Sequence, residues 1–576
     1  MSKREKVLVI GDDTRSFLST VRSLGRKGLE VHVAPFDFGA PALTSHFIEA
    51  THFLPYYLEG GEAWRDAIGT LMREHRFALV IPCDERALLP LCLHRDILSA
   101  HGALAIPSPE ALDIFFGKVK TRELAKACDV PVAHGRMLAP DDTVDAIVSD
   151  IGLPVVIKDP MSYALPELYV RTSTRIVGER EALAAWLDRR GTDGPILLER
   201  MFPGFGAGVS VLCHEGEVLQ AFEHHRASEL NGSGYYRKSA PLDADRLAAV
   251  ERMVKASRYT GLAMFEFKID PDSGRWILIE VNARPWGSLP LPVSIGVDFP
   301  YRLHRLLAHG EKTPPADYPS NRYCRNLVSD MWQARMRATA LTRQPAKLIA
   351  HLAGWVWGFH RILIGREHHD ALVLDDPRPG LRELRDLFAG RLAKRPARHG
   401  DDLLGPKLAK AIAAAGSRPV EVLFICQGNI NRSSYAELKS AQLFDSAKLR
   451  FSSAGMLPRN PRPSPTVAIA AAARHGVNMQ AHRSRHASAE MLEAADLVIA
   501  FDHINIDSVG ARYPHLKDRI HLLGEADAGS GGPQQILDPE GKDDGTFQST
   551  YQRIDACLGI LAHVAPATQD PQQGVI

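Results

Sequence analysis

The chain has 576 residues, 45% hydrophobic and 24% charged, ordinary globular values at a length too great for one core, so three or four structural units are expected. Its 69 Lys and Arg against 68 Asp and Glu leave a formal net charge of +1, which excludes recruitment of nucleic acid or anionic lipid by a global field and leaves the work to local sites. The cysteines, at 83, 92, 128, 213, 324, 426 and 557, form no CxxC pair and no zinc-type cluster with histidine, which points to a reducing, cytoplasmic compartment.

The start of the chain is basic, but the apolar run that follows stops at Ile10, before Gly11 and two aspartates, so it does not make a signal-peptide core. VLVIGDD at 7–13, a helical stretch through Leu24 and then LEVHVAPFD read as strand, helix, strand. The turn at Gly11 invites a nucleotide. No G-x-G-x-x-G is present, however, so a structural α/β unit is favoured over a dinucleotide site. FALVIP (77–82) and residues 102–107 add strands, and the first domain is expected to end near residue 107.

Beyond it, Lys118 stands three residues before Thr121 at the head of a helical segment, and Lys158 ends the strand PVVIK. Each lysine reaches a phosphate in one reading and solvent in the other. ILLERM (196–201), ended by Gly204 and its neighbours, resembles a hinge segment. In GLAMFEFKIDPDSGRWILIEVNARPWG (261–287) two strands flank a turn at 270–274, and alternation sets Glu266 on one strand and Glu280 and Asn282 on one face of the other. Three converging oxygen ligands suit Mg²⁺, which keeps waters and bridges nucleotide phosphates; a plain hairpin with a carboxylate face is the competing reading.

These spaced motifs resemble an ATP-grasp ligase of the branch that holds carbamoyl-phosphate synthetase and D-alanine ligase. The resemblance implies a pre-ATP-grasp α/β domain over 1–107, an ATP-grasp fold over 108–310, and ATP and Mg²⁺ as cofactors. It places Lys118, Lys158, Glu199, Met201 and Arg284 at the nucleotide, Glu199 and Met201 largely through backbone groups, and Glu266, Glu280 and Asn282 at the metal. One departure concerns the lid. Such ligases carry a glycine-rich loop after the second lysine, whereas DPMSYALPELYV (159–170) has no glycine; HHRASELNGSGYYRK (224–238), basic at Arg226, Arg237 and Lys238, is the alternative lid or acyl-phosphate clamp.

Residues 311–388 read as mainly helical, then strand-like at ALVLDDPRPG (371–380). Their most apolar stretch, 348–365, is broken by His351, His360 and Arg361 and is too interrupted to span a membrane. Its Trp355, Trp357 and Phe359 fit a packed helix or a partner interface better than a helix lying on a membrane. From 389 to 419 the chain is basic, alanine-rich and punctuated by Pro and Gly, a linker with one short helix.

VEVLFICQGNINRSS (420–434) is an apolar strand, a small-residue turn and a polar helix start. It delivers Cys426 to the strand's carboxyl end, with Arg432 six residues on. The intervening loop, Gln427, Gly428, Asn429, Ile430 and Asn431, can turn successive N–H groups inward as an anion cradle, with Ser433 behind it. Those N–H groups, the helix dipole and Arg432 favour a thiolate, and Arg432 can grip phosphoryl oxygens bidentately. The competing reading is a buried structural cysteine beside an ordinary arginine.

The string CQGNINRSS, with Asp538-Pro539 about a hundred residues later, resembles the low-molecular-weight protein tyrosine phosphatases, on a doubly wound parallel sheet over 420–576. The resemblance implies Cys426 as nucleophile, Arg432 as phosphate ligand, Asp538 as general acid, and Asn429 and Ser433 as supports of the loop. Asn431 stands where the family often has a second, protective cysteine, and Glu540, Gly541 and Lys542 stand where aromatic residues often flank the substrate ring. An arsenate-reductase reading lacks the further cysteines it needs, Cys557 being the only one after Cys426.

The expectation is an α/β multidomain, cytoplasmic, bifunctional enzyme. One part would ligate a small-molecule carboxylate to an amine or similar nucleophile; the other would hydrolyse a phosphomonoester, a phosphotyrosine protein being one candidate. The alternative is a phosphatase governed by a non-catalytic ATP-binding module. Neither nucleic acid nor membrane is an expected partner.

Overall fold

The computed structural model describes residues 4–36, 40–52, 54, 57, 61–161, 168, 174–190, 194–230, 233–342, 344–392, 404–457, 461–530, 535–536 and 538–564. Most of the glycine-free stretch after Lys158, residues 231–232 of the alternative lid and residues 393–403 of the expected linker lie outside them. The chain forms two compact units that divide after Arg391. Among the described residues no helix is long and apolar enough to cross a membrane.

The first unit opens on a parallel five-stranded sheet in the spatial order Ile48–Thr51, Glu30–Ala34, Lys6–Ile10, Leu79–Pro82, Ala103–Leu104. Val7, Leu8, Val9 and Ile10 are all buried, as a strand covered on both faces requires. A seven-stranded sheet follows, in the order Trp276–Asn282, Gly261–Ile269, Phe205–His214, Glu217–Leu230, Ser233–Ala240, Tyr323–Arg325, Glu367–His369. Alternation along Phe205–His214 sends Ala207, Val209, Val211 and Cys213 into a core with Ala249, Val250 and Met253 of the helix Ala244–Ala256. Leu212 instead packs with Phe17, Leu18 and Val21 of the helix Ser16–Arg26, so this sheet is covered on both faces. A small antiparallel sheet (Gly135–Met137, Leu197–Arg200, Val155–Lys158, Arg175–Val177) has its own core around Ile147, Ile157 and Leu198. Gly204 closes the segment after Met201 against the sheet: at its φ of +119° a Cβ would lie 2.0 Å from Ile269 O.

The strand expected within 371–380 is absent. A strand lies just before it, at Glu367–His369, and residues 371–376 form a tight turn instead. The reason is Arg22. Its guanidinium donates to the carbonyls of Asp370 (3.0 Å), Ala371 (2.7 Å) and Asp376 (2.7 Å) and, through Nε, to the Asp376 carboxylate (2.9 Å), so the carbonyls a ladder would use are taken.

The second unit is built on a parallel sheet in the order Leu449–Gly455, Val420–Cys426, Leu497–Ala500, Ile520–Leu522. Along its second strand Val420, Val422, Phe424 and Cys426 enter a core with the helices Arg432–Leu443 and Asp544–Val564, and Leu423 and Ile425 enter another with Leu492 and Val509. The helix Leu404–Ala415 adds Leu404 and Leu408 to the first of these cores.

Arg22 and Asp376 are 3% and 0% exposed. Removing one member of such a pair strands the other charge, so Arg22→Met should cost about 3–5 kcal/mol, read as a shift in denaturant unfolding of the first unit. A loss under about 1 kcal/mol would show that Ser45 and His46, which also bond Asp376, suffice alone.

Candidate functional site

Cys426 ends its strand and the helix Arg432–Leu443 begins six residues on. Between them Asn429 takes a left-handed backbone (φ +52°), a conformation asparagine accepts more readily than most residues. That turn aims the Asn429 N–H at Cys426 Sγ, 3.3 Å away. The asparagine side chain then ties the loop down. Its Nδ2 donates to Ser433 Oγ (2.9 Å) and Ser453 Oγ (2.8 Å), and its Oδ1 accepts from the Arg485 N–H (2.9 Å). Because Ser433 Oγ accepts from the amide, its own proton is available to the sulfur, 3.0 Å away. A thiol with an N–H and an O–H converging on it is arranged to carry negative charge.

Arg432 is 1% exposed, and its guanidinium is held on one side. Nη1 donates to Asp502 Oδ2 (2.6 Å) and the Ile536 carbonyl (2.8 Å), and Nη2 to Asp538 Oδ2 (2.7 Å). Nε is buried with no hydrogen-bond partner among the described residues, a donor left over for a guest. Burial alone would lower the arginine's pKa; the charges of Cys426, Asp538 and Asp502 outweigh it and raise it above the usual range. A cavity of about 120 Å³ opens over these groups, lined by Cys426, Gly428, Ile430, Leu457, Asp538 and Glu540 among others, and none of its lining residues among the described ones is aromatic. Asn431 Nδ2 donates to Glu540 Oε2 (2.7 Å), so the residue in place of the protective cysteine holds the rim.

Asp502 went unmarked in the sequence. Its signal was an aspartate between a buried strand and a helix: Oδ1 caps the helix His503–Arg512 by accepting from the Asn505 N–H (2.8 Å), which frees Oδ2 for Arg432.

In the first unit Lys118, Glu280, Asn282 and Arg284 line one cleft of about 40 Å³ with Glu85, Phe115 and Thr121. That is too little for a nucleotide, so the walls must part to admit one. Lys118 Nζ donates to the Asp159 carbonyl (2.9 Å). Lys158 Nζ lies 2.6 Å from Glu199 Oε2, and the same carboxylate takes Arg122; both partners' side chains are at most a tenth exposed. Met201 is exposed. Glu266 stands opposite Glu280 across the hairpin, with Asn282 two pairs further along, opposite Met264. Glu266 Oε1 accepts from Asn282 Nδ2 (3.2 Å) and Oε2 from Arg226 Nη2 (2.5 Å). Burial raises the Glu266 pKa, the Arg226 charge opposes that, and Glu280 adds to it. Arg284 is bonded to Glu85 Oε1 (2.6 Å), a partner supplied by the helix Glu85–Leu93 that no sequence motif marks.

Two carboxylates and an amide form the hard-oxygen set that suits Mg²⁺, and the raised pKa of Glu266 is what a neighbouring cation would reverse, so these residues fit the ion.

Residues 421–569 match the family model of the low molecular weight phosphotyrosine protein phosphatases. The low-molecular-weight protein-tyrosine-phosphatase Etp of Escherichia coli K12 is 29% identical over 134 residues, 23% of this chain and 86% of that protein. The protein-arginine-phosphatase of Bacillus subtilis is 29% identical over 147 residues, 25% of this chain and 95% of that protein. A pyruvate carboxylase of Schizosaccharomyces pombe is 29% identical over 195 residues, 31% of this chain, and the chain spans only 16% of that enzyme's length. The chain resembles two families in series. Its N-terminal part is ATP-grasp-like, of the carboxylase and ligase kind, and its C-terminal part is a low-molecular-weight phosphatase-like domain.

Asn429→Ala removes three side-chain bonds at the loop, each worth about 0.5–1.5 kcal/mol, from a left-handed position where alanine is strained. Affinity for vanadate, measured by calorimetry, should fall at least about tenfold. Unchanged affinity would mean that the strand and helix alone shape the loop.

Proposed function

We propose that the second unit hydrolyses a phosphomonoester through a phosphocysteine, and that the first unit uses ATP to activate a small carboxylate as an acyl phosphate for attack by an amine or similar nucleophile. The observation that carries the reading is the convergence on Cys426 Sγ of an N–H and a hydroxyl, beside a buried arginine with an unused Nε and a carboxylate at the rim.

In the hydrolase reaction Cys426 Sγ attacks phosphorus while Arg432 and the loop N–H groups hold the phosphoryl oxygens. Asp538 gives its proton to the leaving oxygen as the ester P–O bond breaks. It then takes a proton from water, which attacks phosphorus and releases inorganic phosphate and the thiolate. The Asp538 contact to Arg432 keeps the acid at the mouth, next to where a leaving group would sit. Among the described residues the cavity wall of Ile430, Leu457 and Glu540 has no ring to stack on an aryl group, so a phosphotyrosine protein is one substrate among phosphomonoesters.

In the first unit Lys118, Lys158, Glu199, Met201 and Arg284 would serve the nucleotide, with Glu266, Glu280 and Asn282 holding Mg²⁺. The ion supplies positive charge against the nucleotide phosphates. In the present arrangement Arg226 stands in that role at Glu266, and Lys158 is poised by Glu199 rather than by a phosphate.

Cys426→Ser should abolish hydrolysis of p-nitrophenyl phosphate, and Asp538→Asn should slow it by about 10²- to 10⁴-fold. Lys158→Met and Glu280→Gln should stop carboxylate- and amine-dependent ADP release and leave that hydrolysis intact. Hydrolysis that survives Cys426→Ser refutes the phosphocysteine; ADP release that survives both substitutions in the first unit refutes the nucleotide site.

A further inference from the structure

The helix Pro345–Gly358 has no buried residue. Leu348, His351, Trp355 and Phe359 recur every three or four residues and form its half-buried inner face, where Trp355 Nε1 donates to Asp330 (2.7 Å) and His351 meets the Ala334 carbonyl (3.1 Å). The flank beside that face is apolar too. Ile349 (68% exposed), Leu352, Val356 (63%) and, further round the helix, Trp357 (72%) stand in solvent, and beyond the helix end Leu363 (88%) and Ile364 are exposed as well. The sequence leads to a packed helix or a partner interface: one side of the helix packs, and the other is bare.

The charge around this patch has one sign. From 331 to 366 the chain has Arg335, Arg337, Arg343, Lys347, Arg361 and Arg366 and not a single Asp or Glu. The carboxylates that bound the run are already engaged: Asp330 by Arg325 and Trp355, and Glu367 by Arg325 and the Tyr236 hydroxyl. A near-neutral chain thus carries, in one run of sequence, a block of cations together with exposed aliphatic side chains and an indole.

We propose that this helical face docks on an anionic lipid bilayer surface, Trp357, Leu363 and their neighbours entering the headgroup boundary while Arg335, Arg337 and Lys347 meet lipid phosphates. Protruding Leu, Ile and Trp beside basic residues supply both terms of interfacial binding, apolar area to bury and attraction to anionic headgroups. A second copy is a poorer occupant, because pairing this face with itself would set two blocks of like charge against each other. The attachment is peripheral and adds a location to whatever chemistry the two units perform.

The test is sedimentation of the full chain with vesicles of phosphatidylcholine alone or mixed with phosphatidylglycerol. Binding is expected only to the anionic vesicles, weakening as salt rises, with the tryptophan emission shifted to the blue. The double variant Trp357→Asp, Leu363→Asp should lose at least about tenfold in vesicle affinity, and Lys347→Gln about fivefold for the one charge removed. Circular dichroism and p-nitrophenyl phosphate hydrolysis should stay unchanged in both. No binding to anionic vesicles, or binding that neither variant weakens, overturns the proposal. So does a lipid-free dimer that the double variant dissociates, which would give the face to a second copy.

Discussion

One left-handed residue organises the second unit's site. Asn429 turns the chain so that an N–H faces the sulfur, and its amide reaches Ser433, Ser453 and the Arg485 backbone at once. Three elements meet through that side chain: the helix that begins at Arg432, the neighbouring strand Leu449–Gly455 and the segment before the helix Ala489–Ala494. A loop anchored so heavily cannot relax when an anion arrives or leaves. Its donors are set in advance, which is the condition under which electrostatic stabilisation of a developing charge is strongest.

Arg432 shows the companion constraint. A guanidinium 1% exposed is tolerable only with its charge matched, and Asp502 and Asp538 do that from opposite ends of the fork. The two carboxylates are not equivalent. Asp502 is fixed by its second task as a helix cap, whereas Asp538 is a third exposed and sits at the cavity rim. Structural support and exposure at the cavity rim are thus divided between two residues that bond the same arginine.

The first unit compensates its charges internally. Lys158 and Arg122 share Glu199, Arg226 covers Glu266, and Arg284 is matched by Glu85. Buried ions in these positions need partners at all times, and each of these charges has one within the unit.

Much of this was legible in the chain itself. The run Val420–Cys426 could be read as a buried strand because every residue but one is apolar, and the hairpin over 261–287 because its carboxylates recur at strand spacing about a turn. Cys426, Asn429, Arg432 and Ser433 lie within eight positions, so local geometry alone nearly places them together. Asp502 for Arg432, Glu85 for Arg284 and Arg22 for the turn at 371–376 lie 70, 199 and about 350 residues away from what they hold. No periodicity reports such pairs. They exist because the fold removes charges from water and each must then find whichever opposite charge packing has brought near; the sequence by itself determined which chemistry is present and on which elements, and only the tertiary structure decided which charges would neutralise one another and which apolar face would be left bare.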